Sequence, residues 1–362
     1  MKEERKIWDF DLWLVLIALA ISGLGILEIY SATHNNNLAG MHLRQLGWVG
    51  LGVVCLLVIS RIDYHAILDQ APLLYLGGLA ALVAVLLFGE VRFGARRWLA
   101  VGGVALQVSE LVKLIIIVAL ARFLSEVRTD RLSLADLIKA GALTAVPLGL
   151  ILLQPDLGTA LVLVPVLALG AFLAGIQWKH MVAIGLLGVL LLPAGWFFLK
   201  PYQKERIETF LNPEGSPRGP GYQVLQSKIA VGSGGFWGKG IGKGSQNQLG
   251  FVPVRWSDFI LAALAEELGF AGVFVTLTLY MALLLRLVRT AQVAADRAGM
   301  FLVMGVAAVL GFHVLVNVAM VIGFMPVTGI PLPLMSYGGS ATLFMFMALG
   351  LAMNVRMRRF VN

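Results

Sequence analysis

Charge is what this sequence has least of. Asp, Glu, Lys and Arg make up 13% of its 362 residues, about half the roughly 25% usual in a soluble domain. Cysteine is all but missing. The single Cys55 sits inside an apolar run, which excludes an intramolecular disulfide and a cysteine-based metal site. The five histidines and the carboxylates show no metal-ligand spacing, and there is no Ser/His/Asp set and no nucleotide-binding motif. The chain therefore carries no evident metal, cofactor or energy-coupling site of its own, and no internal repeat. The formal net charge of +8 does not make it a nucleic-acid binder, because membrane loops carry Lys and Arg for topological reasons.

What is abundant is apolar. Hydrophobic residues reach 59%. Apolar runs of about 20 residues, the length that crosses ~30 Å of hydrocarbon, recur along the chain. Ten are expected to be helices, at 11–30, 43–60, 72–88, 109–125, 135–153, 157–175, 180–199, 260–285, 300–323 and 340–355. Gln154-Pro155-Asp156 divides the fifth from the sixth, because proline disfavours helix at the residue before it. The first run is too long for a signal-peptide core and has no small-residue cleavage site after it, so it reads as a retained anchor. The fold class is thus an all-α polytopic membrane protein. Residues 1–362 form one integral membrane domain, with a large extracytoplasmic loop at 200–257 between helices seven and eight.

Orientation follows from Lys and Arg in the short connections. With the N-terminus inside, thirteen lie in inside segments and four outside: Arg44, Arg92, Arg96 and Arg97. Both termini are expected in the cytoplasm. The long loop then lies outside, where its eight basic residues count weakly. Arg92, Arg96 and Arg97 crowd one short outside loop against the topological rule, which suggests a further task such as holding phosphate.

The stretch 222–270 is the long polar interval of the chain. It is rich in glycine, amides and lysine, and ends in Asp258, where polar loop gives way to apolar helix. That carboxylate is either the N-cap of its helix or a chemical group at the membrane boundary. Residues 222–229 can form a short interfacial helix with Gln226 and Lys228 on its polar side. GSGGFWGKGIGKGSQ adds flexible backbone amides with Lys239 and Lys243, suited to a lid or to the approach of an anion. Glu266 and Glu267 follow within the helix. Eight residues at ~1.5 Å each set Glu266 about 12 Å beyond Asp258, so Glu266 or Glu267 is expected to pair within the bundle, with a partner such as Lys113 or His313.

Three further segments belong to the outer side. Ser109 is a candidate N-cap, and Glu110 and Lys113 share a helix face at a spacing of three. They form either an interfacial ion pair or part of a cationic shelf for a diphosphate, with Glu110 orienting Lys113. Asp156 of QPDLGTA is expected to cap its helix. GFMPVTGIPLPLMSYGGSA is apolar but too rich in proline and glycine for helix, so it must be buried or line a cavity, ending at Ser336, Tyr337 and Ser340. His313 and Asn317, four apart on the ninth helix, face one side, and His313 reads as a packed, hydrogen-bonded histidine.

QSKIAVGSGGFWGKG with GSQNQLGFVP, SDFILAALAEELGF, QPDLGTA and GFMPVTGIPLPLMSYGGSA together resemble the SEDS family (shape, elongation, division and sporulation) across essentially the whole chain. Within it, QSKIAVGSGG followed by GKG and GSQ is similar to the elongation type rather than the division type. The resemblance implies a GT-C-like glycosyltransferase that polymerises lipid II at the outer face of the bacterial cytoplasmic membrane. It also implies a class B penicillin-binding protein as partner, alongside other elongation-complex membrane proteins. The family's essential aspartate falls on Asp258, and its arginine, glutamate and lysine fall on Arg96 or Arg97, Glu110 and Lys113.

On that basis the donor is a glycan on a polyprenyl diphosphate and the acceptor is lipid II. Inversion calls for a base, Asp258, and for cations on the leaving diphosphate, Arg96, Arg97 and Lys113. Gln226, Lys228 and Lys239 are secondary substrate contacts. Asp156, Glu266, Glu267, His313, Asn317 and Ser336 are supporting groups, and a divalent cation at the diphosphate is left open. Competing readings are a lipid II flippase, which should line a polar path through both leaflets, and a scaffold, which should tolerate Asp258→Asn.

Overall fold

In the computed structural model, which describes residues 10–34, 38–92, 95–101, 104–127, 131–212 and 219–360, each of the ten apolar runs is a helix. The first five are α1 (Leu12–Thr33), α2 (Met41–Arg61), α4 (Ala71–Phe88), α5 (Val108–Glu126) and α6 (Leu134–Leu153). The rest are α7 (Leu157–Leu173), α8 (Trp178–Phe198), α12 (Ile260–Gln292), α13 (Arg297–Val321) and α14 (Gly339–Met357). Among the described residues, seven of these are long and apolar enough to cross a membrane. α5 is set apart by Glu110, Lys113 and Arg122 within its length, and α7 by its 17 residues. Short helices complete the chain: α3 (Tyr64–Asp69), α9 (Pro201–Leu211), α10 (Pro220–Ser233) and α11 (Ser245–Gln248), the last three inside the long loop. The termini around Lys2, Arg5 and Lys6, the loop residues 213–218, and the side chain of Arg92 lie outside the described residues.

Two features depart from the expectation. The connection before α5 is a three-stranded antiparallel sheet, β1 (Glu90–Arg92), β2 (Ala95–Val101) and β3 (Val104–Gln107), paired in the order β1-β2-β3. Its signal was a Gly-Gly pair between runs with branched side chains, overlooked because it is short and sits in an all-helical context. In addition, α12 is broken at Gly269, whose φ of +66° is left-handed. A side chain there would collide with the backbone of Phe236 and Gly238, so glycine is what lets the long loop pack against the break.

α13 and α14 are the most buried spans. α14 lies on α2 through small residues: Phe346 rests on Gly52, and Gly350 meets the backbone at Leu56. Close approach of this kind is how membrane helices gain packing energy without a hydrophobic driving force between them. Around this centre the non-helical segment 322–338 folds back between α13 and α14. It is tied down by Tyr280, whose hydroxyl donates to the Pro333 carbonyl (2.5 Å), and by Gln45. The Gln45 amide donates to Ser336 O (3.3 Å) and Thr342 Oγ1 (2.9 Å), and its carbonyl accepts from Gly338 N (3.2 Å). Irregular backbone at this depth is tolerated because those partners satisfy it.

Candidate functional site

The middle of β2, the end of β3, the start of α5, the turn between α6 and α7, α9, the segment before α12, the fold-back segment and the start of α14 enclose one polar cleft of about 270 Å³. Asp258 lines it. The carboxylate lies one residue outside the helix and is not its N-cap, which is Phe259. Oδ1 accepts from the Ser257 hydroxyl (2.9 Å). The backbone is held from below: Asn317 Nδ2 donates to the carbonyls of Asp258 and Ile330, both at 2.9 Å. Ser336 clips the same segment, its hydroxyl donating to Ser257 O (2.7 Å) and accepting from Leu332 N (2.9 Å). Asn317 and Ser336 thus both hold the backbone around Asp258. Gly329, with φ +73°, faces Asp258 Oδ2, and a Cβ there would come to 3.7 Å of it. Partial burial pushes the Asp258 carboxyl up from its ordinary value, while the Ser257 hydroxyl and the Arg206 and Arg97 guanidiniums pull it back down.

Arg97 and Arg96 are neighbours on β2, and adjacent strand residues point to opposite faces. Arg97 lines the cleft. Its guanidinium is braced on the inter-helix turn, with Nε donating to Gln154 O (3.3 Å), Nη2 donating to Pro155 O, and Nη1 3.8 Å from Asp156 Oδ1. Arg96 points away, exposed, with Nη1 near Leu86 O (3.5 Å). Asp156 caps α7 as expected, accepting from Thr159 N (3.3 Å), and also gathers the Thr159 hydroxyl (3.0 Å) and Gln107 Nε2 (2.7 Å).

Glu110 and Lys113 share one face of α5 and form an ion pair, but it is Glu110 and not Lys113 that lines the cleft. Glu110 lines the cleft. Lys113 is fully buried one turn deeper, with Nζ 2.9 Å from Glu110 Oε2 and 4.4 Å over the Phe344 ring. The lysine anchors the glutamate, because a rise of ~4.5 Å over three residues carries it below the cleft floor. Nζ also lies 3.4 Å from His313 Nε2, while His313 Nδ1 is 3.1 Å from Pro331 O. A neutral His313 with its proton on Nδ1 satisfies both contacts. Ser109 is not the N-cap either. It lies inside α5, whose cap position is Gln107.

Glu266 and Glu267 pair with neither Lys113 nor His313, and only Glu267 finds a partner within the bundle, Ser31 of α1. The long loop comes to them instead. Glu266 accepts from Lys239 Nζ (2.6 Å), Gln246 N (3.0 Å) and Asn247 N (2.9 Å). Glu267 accepts from Ser31 Oγ (2.7 Å), Asn247 Nδ2 (2.6 Å) and Gly242 N (2.9 Å). An irregular loop leaves backbone N–H groups without partners, and these carboxylates supply them. Lys239 is therefore committed to Glu266 and does not line the cleft. Gln226 lies on α10, half-buried and outside the cleft. Lys228 is exposed on the same helix, over Gly323.

Cleft residues not singled out as site residues from the sequence include Arg206 on α9, Gln107 at the end of β3, Ser257 and Thr159. Arg206 was one of eight basic residues in a loop whose charge says little about topology. The sequence held no stronger signal for it.

The sequence profile of the FtsW/RodA/SpoVE cell cycle proteins matches residues 11–360. The chain belongs to this family. It is 38% identical over 360 residues to the peptidoglycan glycosyltransferase MrdB of Escherichia coli (strain K12), covering 98% of this chain and 96% of that protein. It is also 38% identical to stage V sporulation protein E of Bacillus subtilis (strain 168), over 95% of this chain and 96% of that protein. Among solved structures it resembles one concerned with the coordination of polymerization and crosslinking by a peptidoglycan synthase complex. There the TM-score is 0.84 at 36% identity, covering 98% of this chain and 99% of that one. The crystal structure of the rod shape determining protein RodA of Thermus thermophilus matches with a TM-score of 0.74 at 31% identity, covering 98% of both chains.

Proposed function

We propose that this multi-pass membrane protein is an inverting peptidoglycan glycosyltransferase that joins lipid II units into β-1,4 glycan strands during cell elongation. The observation that carries the reading is the convergence in one cleft of a half-buried carboxylate, Asp258, with Arg97 and Arg206. Asp258 ionised accepts the proton of the acceptor 4-hydroxyl. The hydroxyl oxygen bonds to the anomeric carbon of the donor as that carbon's bond to phosphate breaks. The electron pair departs with the diphosphate, whose charge Arg97 meets. Arg97 suits this task because the carbonyls of the 154–155 turn hold its guanidinium in place before substrate arrives. Among the described residues three carboxylates line the cleft, Glu110, Asp156 and Asp258, of which Glu110 is tied to Lys113 and Asp156 caps α7.

The cleft residues stand at helix ends: Glu110 in the first turn of α5, Asp156 before α7, Asp258 before α12 and Ser340 at the start of α14. Polar groups gathered at one end support a surface reaction rather than a path through both leaflets. The proposed arrangement is one membrane domain in the bacterial cytoplasmic membrane, termini inside, cleft and long loop outside. A class B penicillin-binding protein is the proposed partner.

The test is polymerisation of labelled lipid II by the purified chain in detergent with its partner. Wild type is expected to make glycan polymer and Asp258→Ala none. A wild-type protein that makes no polymer with the partner present would overturn the reading.

A further inference from the structure

Pro147 interrupts the hydrogen bonding of α6. It has no N–H, so the carbonyl four residues earlier, Leu143 O, loses its helical partner. Tyr75 of α4 supplies another, its hydroxyl donating to Leu143 O (3.0 Å). A side chain from a neighbouring span is how a freed carbonyl is satisfied in hydrocarbon. Beside that tie, α4, α5 and α6 leave a groove of about 360 Å³. Its wall is apolar, with Leu76 of α4 and Ala119 and Phe123 of α5 next to Tyr75 and Leu143. It reaches from Ala71 and Glu126, the first residue of α4 and the last of α5, to Leu143, nine residues into α6. Nine residues rise about 14 Å, close to half of a hydrocarbon core ~30 Å thick. The groove is one leaflet deep.

Its mouth is charged. Arg122 and Glu126, four apart on α5, pair there, with Nε 3.2 Å from Oε1. Arg122 is also fixed from the side. Its Nη1 donates to Leu68 O and Asp69 O, both at 2.8 Å, carbonyls left open at the end of α3. Arg122 Nη2 and Glu126 Oε2 have no partner among the described residues. A spare cationic donor and a spare anionic acceptor thus stand side by side over an apolar groove. That combination matches an amphiphile with a fatty chain and, at its head, a phosphate and an ammonium.

We propose that the groove between α4, α5 and α6 holds an acyl chain of an aminophospholipid, with the lipid phosphate on Arg122 and its primary ammonium on Glu126. Glu126 opposes a head group of net negative charge, and a quaternary ammonium has no N–H to donate to it. A partner's membrane-crossing helix would need twice the depth and would have to cover the charged pair. The site is separate from the chemistry: Glu110 and Glu126 lie at opposite ends of α5, about 24 Å apart along its axis. With the termini inside, the mouth faces the cytoplasmic leaflet.

The experiment is native mass spectrometry of the delipidated full chain in detergent, titrated with phosphatidylethanolamine, phosphatidylcholine and phosphatidylglycerol of identical acyl chains. Wild type is expected to retain phosphatidylethanolamine about tenfold more tightly than the other two, the worth of one hydrogen bond to a charged group. Glu126→Gln, at an exposed position, should bring phosphatidylethanolamine and phosphatidylcholine to parity. Leu76→Trp, also exposed, should fill the groove and lower retention of phosphatidylethanolamine to the level of the other two lipids. Arg122→Lys should keep the preference, and Arg122→Gln should weaken all three phosphate-bearing lipids. Equal retention of the three lipids by wild type would mean annular lipid only and would overturn the proposal. So would an undiminished preference in Glu126→Gln or in Leu76→Trp. Loss of the bound lipid when the penicillin-binding partner is added would give the groove to a partner helix instead. Polymerase activity enters none of these readings.

Discussion

Asp258 and the pair Glu266–Glu267 sit eight and nine residues apart on one stretch of chain, and they could hardly be treated more differently. Glu266 and Glu267 are fully buried and receive backbone N–H groups, amides, hydroxyls and an ammonium from the long loop and α1. Asp258 is half-buried, receives one side-chain hydroxyl, and otherwise faces the cleft. A carboxylate with its lone pairs filled is a structural anion, since moving it would strand buried donors. A carboxylate with lone pairs open beside cations has capacity left for a substrate proton. The glycine-rich loop does embrace anions, as its exposed amides suggest, but the anions are the protein's own.

The largest effect expected from this contrast is Asp258→Asn, which keeps shape and removes the base. Polymerisation should fall about 10² to 10⁴-fold, with melting temperature unchanged, measured on labelled lipid II. Equal activity in the two proteins would erase the distinction between the two regions. Next comes Lys113→Met. Glu110 faces the cleft as Asp258 does, but depends on a buried lysine. Removing one partner of a buried pair costs about 3–5 kcal/mol, so thermal unfolding in detergent should show a large loss of stability. A variant as stable as wild type would place Glu110 with Asp258 rather than with the clamped glutamates.

The helices were legible because ten apolar runs of membrane length leave few other ways to satisfy a backbone in lipid. The place of Asp258 at the polar-apolar boundary was legible in the sequence, and the structure sets it on the wall of the cleft. Two things were hidden for geometric reasons. Whether Arg96 or Arg97 faces the cleft depends on the alternation of a strand, and nothing in the helical pattern announced one. Whether Lys113 or Glu110 reaches the cleft depends on depth along α5, and spacing alone reports a shared face but not which member is nearer the surface. The partners of Glu266 and Glu267 were hidden more deeply. Their donors at Gly242, Gln246 and Asn247 are main-chain N–H groups, which every residue but proline carries and which no side-chain pattern reveals.

Glu266→Gln and Glu267→Gln test the clamped side directly. Each swaps half of a carboxylate's acceptors for an amide donor facing other donors, at about 1–3 kcal/mol per unsatisfied group. Hydrogen exchange over residues 238–248 should speed up, and Glu267→Gln should also loosen Ser31 of α1 from α12. Unchanged exchange in both variants would mean that the loop is held by packing and not by these carboxylates.

The smallest expected effect is on pH, and it bears on the open side. As a base, Asp258 works ionised, so the rate should fall as pH drops through its pKa. Burial raises that pKa, which moves the acid limb of the rate profile up from where a free aspartate would put it. The Arg206 and Arg97 guanidiniums oppose the rise by favouring the anion. Arg206→Gln removes one of these opposing charges, so the acid limb should move to still higher pH and the low-pH rate should fall by several-fold more than the plateau rate. Glu266→Gln, by contrast, should leave the position of the limb where it is, because Glu266 is neutralised locally by Lys239 and loop N–H groups. Profiles recorded side by side therefore separate the two carboxylate environments: a limb that moves with Arg206 but not with Glu266 belongs to Asp258.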